Sequence, residues 1–592
     1  MTDYIKKFFF ILGNDKKKLP LIFFIFLINS FLDMIGVSLL SAYIVLIGSP
    51  ELILNNTTYI KVMSNFHFSK IPQSNDLYFI IGISLIILFA IKSLSTFFIQ
   101  KYIIYFAFKN QSKLMGRLMK AHQRMPYELY LNRSSSQVIE LIHLQTAYFT
   151  SQSLLASLNF FSNSILFILI LSLLIVTNFY ATASVGILLA SCFLLFDRFF
   201  KNKIKSNSVH SSHAYQGIVK TIKESIKGLV VIRVLGREQH FVDKLQNHAN
   251  EYAKSYSQYQ ALSIIPRYIL EFVLVTFIVL MTLIYLSTGE NISKLMPTIG
   301  LFAASAMRLM PAFAQMMQSF NSLRFSKRTI DILSKELEDS ISLEHLIEDN
   351  HSNHEIKFFK SIKISNLDFQ YAQATKPSIN NINLSIHRGQ TIGLIGHSGS
   401  GKTTLVNLLI GLLTSKSGQI ILNDKQIQSE KDLKMWLNLI AYIPQDVFIL
   451  EDKLKNNIAL GIPENEIDYK KLKSSIEMAK LTQVVANLPN GHDTILGEDG
   501  NRLSGGQKQR VALARAFYFD RHIIIMDEAT AALDNETEQH IVDEINELKS
   551  ERTIIIIAHR LSTLKNCDVI YKLHDGQILQ SGKYAEVIQS AI

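Results

Sequence analysis

Residues Gly396 to Thr404 read Gly-His-Ser-Gly-Ser-Gly-Lys-Thr-Thr, between an apolar run, Gln390 to Ile395, and a helical pattern, Thr404 to Leu413. A strand, a glycine-rich loop and a helix in that order form a phosphate cradle. Gly396, Gly399 and Gly401 let backbone N–H groups close around phosphate oxygens, and His397, Ser398 and Ser400 complete the loop. Lys402 is placed for the β- and γ-phosphates of a nucleotide, Thr403 for a magnesium ion, and Thr404 opens the helix behind them. A second apolar run, Ile523 to Met526, ends in Asp527-Glu528. An acid in that place is the expected second magnesium partner, and Glu528 is positioned to take a proton from an attacking water. A third run, Thr553 to Ala558, ends at His559, at the strand end where α/β sheets bind ligands.

The pentapeptide Leu503-Ser504-Gly505-Gly506-Gln507 opens another helical stretch, Lys508 to Tyr518. Serine and two glycines at a helix start make a second anion-binding N-terminus, without a lysine of its own. One nucleotide does not need two cradles from one chain, whereas two chains facing each other use both.

These motifs occupy the last 240 or so residues, where short β-branched runs alternate with helical patterns. The first 330 differ. Over all 592 residues, 48% are hydrophobic and only 18% charged, against ~25% charged in an average soluble domain. The apolar excess falls in six runs long enough to cross a bilayer: Leu19 to Ile47, Leu77 to Phe108, Leu154 to Val176, Ala181 to Phe200, Ile264 to Leu286 and Leu295 to about Phe313. Lysine and arginine crowd the connections after the second and fourth runs, while Ser49 to Asp76 holds only Lys61 and Lys70. Both basic connections and both termini are therefore cytoplasmic. The same flanking bases account for the net charge of +11, so no nucleic-acid partner is implied. Met1 to Leu12 reads as an amphipathic helix on the inner surface rather than a signal peptide. Cys192 and Cys567 are too far apart in sequence for a disulfide framework. The expected organisation is a membrane all-α domain over residues 1–334, an acidic linker over 335–354 and an α/β P-loop domain over 355–592. His351 and His354 have a metal-compatible spacing but no further ligand, and read as solvated linker residues.

Together the motifs resemble those of ATP-binding cassette transporters, for which Leu-Ser-Gly-Gly-Gln is the signature. The resemblance implies an exporter-type half-transporter: a six-helix membrane domain, with helices reaching into the cytoplasm, fused to an ATPase domain in a bacterial-type inner membrane. It implies ATP and Mg2+ as cofactors and a second copy of the chain as partner. Tyr371 resembles the aromatic that stacks on adenine. Gln445, in Tyr-Ile-Pro-Gln-Asp, resembles the glutamine that ligates magnesium and couples the nucleotide to the membrane domain. His559 resembles the switch histidine, and Ala531 to Asp534 the D-loop, with alanine where serine is frequent. Coupling turns are expected at Met125 to Tyr130 and about Thr221 to Lys227.

For the cargo, Lys-Lys-Phe-Phe-Phe-Ile-Leu near the N-terminus, Pro266 to Glu271 and Arg308 to Pro311 resemble the bacterial branch that flips lipid-linked oligosaccharides. This implies a polyprenyl-diphosphate-linked glycan. The alternatives are a general lipid or multidrug exporter and, from another class, an ATP-gated channel or regulatory membrane ATPase. Lys92, Arg267 and Arg308 lie ~22, ~29 and ~26 Å inward from the outer ends of their spans, as a belt for an anionic headgroup would. The competing reading is structural: Glu271 pairs with Arg267, Asp33 pairs with Arg308, and Lys92 snorkels.

Overall fold

The computed structural model describes residues 2–48, 74–287, 292–344, 359–372, 374–427, 430–527, 552–558 and 561–588. It divides into two compact units. One comprises Met1–Met125 with Asn132–His345, the other Pro126–Leu131 with Leu346–Ile592.

The first unit is helical: α1 (Thr2–Leu12), α2 (Leu19–Gly48) and α3 (Ser74–Gln123) come before a short helix of the other unit, α4 (Tyr127–Leu131). Then follow α5 (Ser135–Thr177), α6 (Phe179–Lys227), the short α7 (Leu229–Val234), α8 (Glu238–Ser287), α9 (Ile292–Phe325) and α10 (Lys327–Glu344). Among the described residues, five helices are long and apolar enough to cross a membrane; α9 carries the sixth apolar run of the sequence. At ~1.5 Å per residue, helices of 50 residues such as α3 and α8 extend far beyond a ~30 Å hydrocarbon core. Few breakers interrupt them, and the polar halves, the second of α3 and the first of α8, continue the helix into water.

Helix α5 carries two π-helical turns, Glu140–Gln145 and Phe149–Leu154. The first holds Glu140, a buried carboxylate satisfied by hydroxyl and amide groups rather than a cation: Gln145 Nε2 (2.5 Å) and Ser212 Oγ (2.9 Å) donate to one oxygen, Gln216 Nε2 (2.8 Å) to the other. Thr329 Oγ1 donates to Gln145 Oε1 at 2.6 Å, so α5, α6 and α10 share one polar joint.

Three local expectations change. In α1, Phe8, Ile11 and Leu12 are buried in the bundle, with Phe8 against Phe149, so this helix packs on protein as well as exposing Ile5 and Phe9. Residues 335–344, read as linker from their acidity, continue α10, because Ile330, Leu333 and Leu337 form a buried stripe and Glu336 accepts from Arg133 at 2.5 Å. The rest of that linker, with His351 and His354, lies outside the described residues. Thr221 to Lys227 still belongs to α6; the turn comes after Gly228, with α7 as its short helix.

Among its described residues the second unit contains two sheets. One is antiparallel, in order β2–β1–β4–β5 (β1 Ser361–Phe369, β2 Ile379–His387, β4 Ser417–Leu422, β5 Lys425–Gln426). The other has the order β10–β9–β3–β8–β7–β6, with β3 Thr391–Ile395, β6 Ile440–Ile443, β7 Ile523–Asp527, β8 Thr553–Ile557, β9 Val569–His574 and β10 Gln577–Gly582. It is parallel except for the β9–β10 hairpin. The runs Ile523-Ile-Ile-Met and Thr553-Ile-Ile-Ile-Ile are buried throughout, as strands covered on both faces must be. Leu394 and Asp527 both register with Ile557, and Ile395 with Lys572. The carboxyl ends of β3, β7, β8 and β9 therefore share one edge, and the phosphate loop leaves β3 there.

Candidate nucleotide site and membrane cavity

Helix α11 (Lys402–Leu409) begins at Gly401, whose φ of +102° leaves the helix N-terminus without a side-chain cap. A Cβ on Gly401 would meet the Ser378 carbonyl at 2.6 Å, and one on Gly396 would meet the Leu573 carbonyl at 2.4 Å. Glycine is required at both for the loop to fold this tightly. Lys402 is buried, and its Nζ donates to the carbonyls of Gly396 (2.8 Å) and His397 (3.0 Å), at the mouth of the cradle. Ser400 is fully buried and its Oγ has no partner among the described residues. An uncapped helix start, a lysine and an orphaned hydroxyl suit a polyphosphate.

Beside the loop, Thr403 is exposed on α11, and Thr404 lies 3.4 Å from the Tyr371 hydroxyl. The Tyr371 ring is half-buried, edge-on to Phe369 at 4.9 Å. Asp527 ends β7, buried, and accepts from the Tyr442 hydroxyl at 3.0 Å. Burial, with the Asp527 carboxylate adding to it, holds the Tyr442 phenol protonated well above the usual range. Tyr442 thus steers one oxygen of Asp527 at the end of β7. Nothing local marks it: as the first residue of Tyr-Ile-Pro-Gln-Asp it looks like an ordinary strand residue, and its partner is 85 positions away. Gln445 is exposed just beyond β6. Tyr127, on α4, packs with Tyr371 and Tyr442 against one hydrophobic core of this unit. Glu528, His559 and Ala531 to Asp534 lie outside the described residues.

Ser504 caps helix α12 (Gly505–Tyr518) in a reciprocal box: Ser504 Oγ accepts from Gln507 N at 3.3 Å and Gln507 Oε1 from Ser504 N at 2.9 Å. Ser504 and Gly505 are exposed at this helix start, while Gly506 is buried.

These features recur in known proteins. The family model for the ABC transporter transmembrane region matches residues 19–320, half of the chain by itself, and the ABC transporter model matches residues 379–531. The chain belongs to the ABC transporter family. It is an exporter-type half-transporter, one membrane domain followed by one ATP-binding domain, and couples ATP hydrolysis to transport. It is a multi-pass protein of a bacterial-type inner membrane with its ATPase domain in the cytoplasm. Among its relatives is an ATP-dependent lipid A-core flippase of Saccharophagus degradans, 28% identical over 527 residues, 87% of this chain and 86% of that one. The flippase of the same description from Ralstonia nicotianae is 41% identical over 228 residues, 38% of each chain. A bacterial Atm1-family ABC exporter solved with ATP bound shares the fold, with a TM-score of 0.72 over 95% of this chain and 96% of that one at 19% identity.

In this transporter's membrane unit, Asp33 on α2 is buried between two cations, in an ion pair with Lys92 of α3 and 3.6 Å from Arg308 of α9. The expected Asp33–Arg308 pair forms, and Lys92 joins it rather than snorkelling. Arg267 is exposed and pairs with no acid among the described residues, Glu271 included. Eight residues after Lys92 and seven after Arg308, ~11 Å further along each helix, Gln100 and Gln315 line a cavity of about 510 Å³. Its wall is almost entirely amide and hydroxyl: Ser151, Gln152, Asn159, Tyr259, Gln260, Gln318, Ser319 and Ser322 complete it with Ala156. Tyr259 donates to Gln152 Oε1 at 2.8 Å, whereas the side chains of Gln100, Asn159, Gln318 and Ser319 make no hydrogen bond among the described residues.

Proposed function

We propose that this transporter works as a homodimer that flips an anionic, lipid-linked glycan, with a polyprenyl-diphosphate-linked oligosaccharide as the substrate class. The observation that carries this reading is the position of Gln100. It lines the polar cavity and also a groove of about 530 Å³ formed by Phe97, Lys101, Ile104, Tyr105 and Phe108. A wall of amides and hydroxyls suits sugar hydroxyls, the adjoining aromatic groove suits a hydrocarbon chain, and the Lys92–Asp33–Arg308 cluster retains one net positive charge for a diphosphate. The relatives are described as lipid A-core flippases, whose name also combines a lipid with a sugar core.

Oxygen ligands suit magnesium, and Thr403, Gln445 and Asp527 are the residues to hold it, with ATP on the loop from Gly396 to Thr404. The metal neutralises phosphate charge; Lys402 binds the phosphates, Tyr371 stacks on the base and Glu528 takes the proton from water. His559 contacts the γ-phosphate. The second cradle, Ser504 to Gln507, serves the partner's nucleotide. The apolar α7, with Val230, Val231 and Val234 exposed and Leu235 exposed just beyond it, offers a second copy an apolar contact.

Reconstitution tests this. In vesicles, a polyprenyl-diphosphate-linked glycan is translocated with ATP and stimulates hydrolysis, and replacing Arg267 and Arg308 together by Gln abolishes flipping while basal ATPase persists. Stimulation by lipophilic drugs alone identifies the multidrug reading, and ATP-dependent ion flux without cargo the channel reading. Ser504→Arg abolishes turnover while leaving ATP binding; a monomer that hydrolyses ATP at the wild-type rate defeats the dimer.

A further inference from the structure

Beside the phosphate loop, His397 brings its Nε2 within 3.1 Å of His574 Nδ1 and 3.5 Å of Asp575 Oδ1. One ligand atom from each of the three lies within 4.8 Å of the others. From this geometry we propose that His397, His574 and Asp575 form a site for a borderline divalent transition metal, Zn2+ in the first instance, which clamps the phosphate loop to the β9–β10 turn.

Three observations carry it. Two of the three spacings match: bonds of ~2.0–2.2 Å in a tetrahedron place neighbouring ligand atoms ~3.3–3.5 Å apart. The two pairs from His397 are at 3.1 and 3.5 Å, while the third pair closes from within 4.8 Å on binding. The tautomer fits as well. His397 Nδ1 lies 2.8 Å from the Ser398 carbonyl, which fixes the proton there and turns the Nε2 lone pair towards His574. That outward N–H to a carbonyl is the usual support for a metal-binding imidazole. His574 then donates from Nδ1 to His397 Nε2; when metal takes its place, the proton moves to His574 Nε2 and both rings stay neutral.

The backbone is also prearranged. Asp575 sits at a φ of +44° in the tight turn between β9 and β10, and the next residue, Gly576, donates its N–H to the Ser400 carbonyl at 3.1 Å. The turn bearing two ligands is thus hydrogen-bonded to the loop bearing the third. Two imidazoles and one carboxylate leave a fourth position for water, and this set favours zinc over magnesium. The consequence is regulatory. Lys402 contacts the carbonyls of Gly396 and His397, and a metal on His397 holds that arrangement against the approach of phosphate. Zinc therefore raises the ATP concentration needed for half-maximal hydrolysis and is overcome by more ATP.

The test uses the full-length, tag-free protein without nucleotide, titrated with ZnCl2 against a chromogenic chelator and separately with Co2+ to read the visible band of a tetrahedral site. Wild type takes up one more equivalent than His574→Ala. Since even outer-shell partners change metal affinity ~10–100-fold, losing this ligand costs at least ~tenfold. His574→Cys, which supplies a thiolate, restores binding. Without zinc, His574→Ala hydrolyses ATP at the wild-type rate, which checks its folding; His574→Asn serves if it does not. Buffered micromolar zinc raises the KM for MgATP at least threefold in wild type and leaves the variant unmoved. Equal zinc uptake by wild type and variant, or a wild-type KM indifferent to zinc, overturns the proposal.

Discussion

The nucleotide site and the membrane cavity are built on opposite principles. In the first, nine consecutive residues, Gly396 to Thr404, make most of the phosphate cradle from backbone N–H groups, so type and spacing along the chain suffice. In the second, Gln100, Gln152, Tyr259 and Gln318 come from four helices and meet only because those helices pack. A backbone cradle demands particular residues at every position and tolerates little drift, whereas a side-chain wall can exchange one amide for another. The cassette therefore announces its chemistry, and the cavity discloses its own only in three dimensions.

The largest effect that sharpens this contrast lies in the cassette. Glu528→Gln lowers ATP turnover by ~10²–10⁴-fold while nucleotide binding persists, because an amide cannot accept the proton of the attacking water. Turnover reduced less than tenfold, measured with saturating MgATP, removes Glu528 from the role of base. No substitution of a single cavity amide approaches that loss in basal hydrolysis; one that does breaks the division between the two regions.

Next comes the charge cluster at the cavity's outer side. Asp33 and Lys92 are both buried, and Arg308 shares the same carboxylate. Asp33→Asn leaves two cations without their counter-charge and costs about 3–5 kcal/mol of stability, the usual penalty for half of a buried pair. Lys92→Met alone costs less, because Arg308 remains beside Asp33, and the double variant recovers much of the loss. Thermal unfolding in nanodiscs reads all three. Additive losses in the double variant show that Asp33 and Lys92 do not depend on each other.

How far the sequence speaks follows the same division. Strands β3, β7 and β8 and the starts of α11 and α12 lie within one to three residues of their expected positions, because fully buried isoleucine runs and glycine-punctuated loops leave little choice. The long helices were legible from their apolar runs and scarce breakers. Acidity misled at residues 335–344, where Ile330, Leu333 and Leu337 set the helix and the acids occupy its outer face or pair with Arg133. At Thr221 to Lys227 nothing in the pattern marked where α6 stops; Gly228 does. Tyr442, His574 and the buried Glu140 were invisible because their partners, Gln145 beside Glu140 apart, are 72 to 177 residues distant. Pairings at that separation are set by packing, which no local pattern records.

The smallest effect tests whether the cassette, too, depends on a side-chain surface. Tyr371 is the one residue proposed to meet the nucleotide through a ring rather than through backbone or charge, and its face is set by edge-on packing on Phe369. Stacking of a base on an aromatic ring is worth ~1–3 kcal/mol, and 1.4 kcal/mol is tenfold in affinity. Tyr371→Leu therefore raises the KM for ATP roughly tenfold and leaves kcat within a factor of two, because the phosphates and the water are held elsewhere. Tyr371→Phe keeps the ring, loses only the 3.4 Å approach of its hydroxyl to Thr404, and changes KM less than threefold. A fall in kcat for Tyr371→Leu would mean that the ring also transmits motion: Tyr127 of α4 packs in the same core, so a ring that moves with the nucleotide would be felt there. An unchanged KM in both variants would mean that base stacking contributes nothing and that the cassette reads its nucleotide through the phosphates alone.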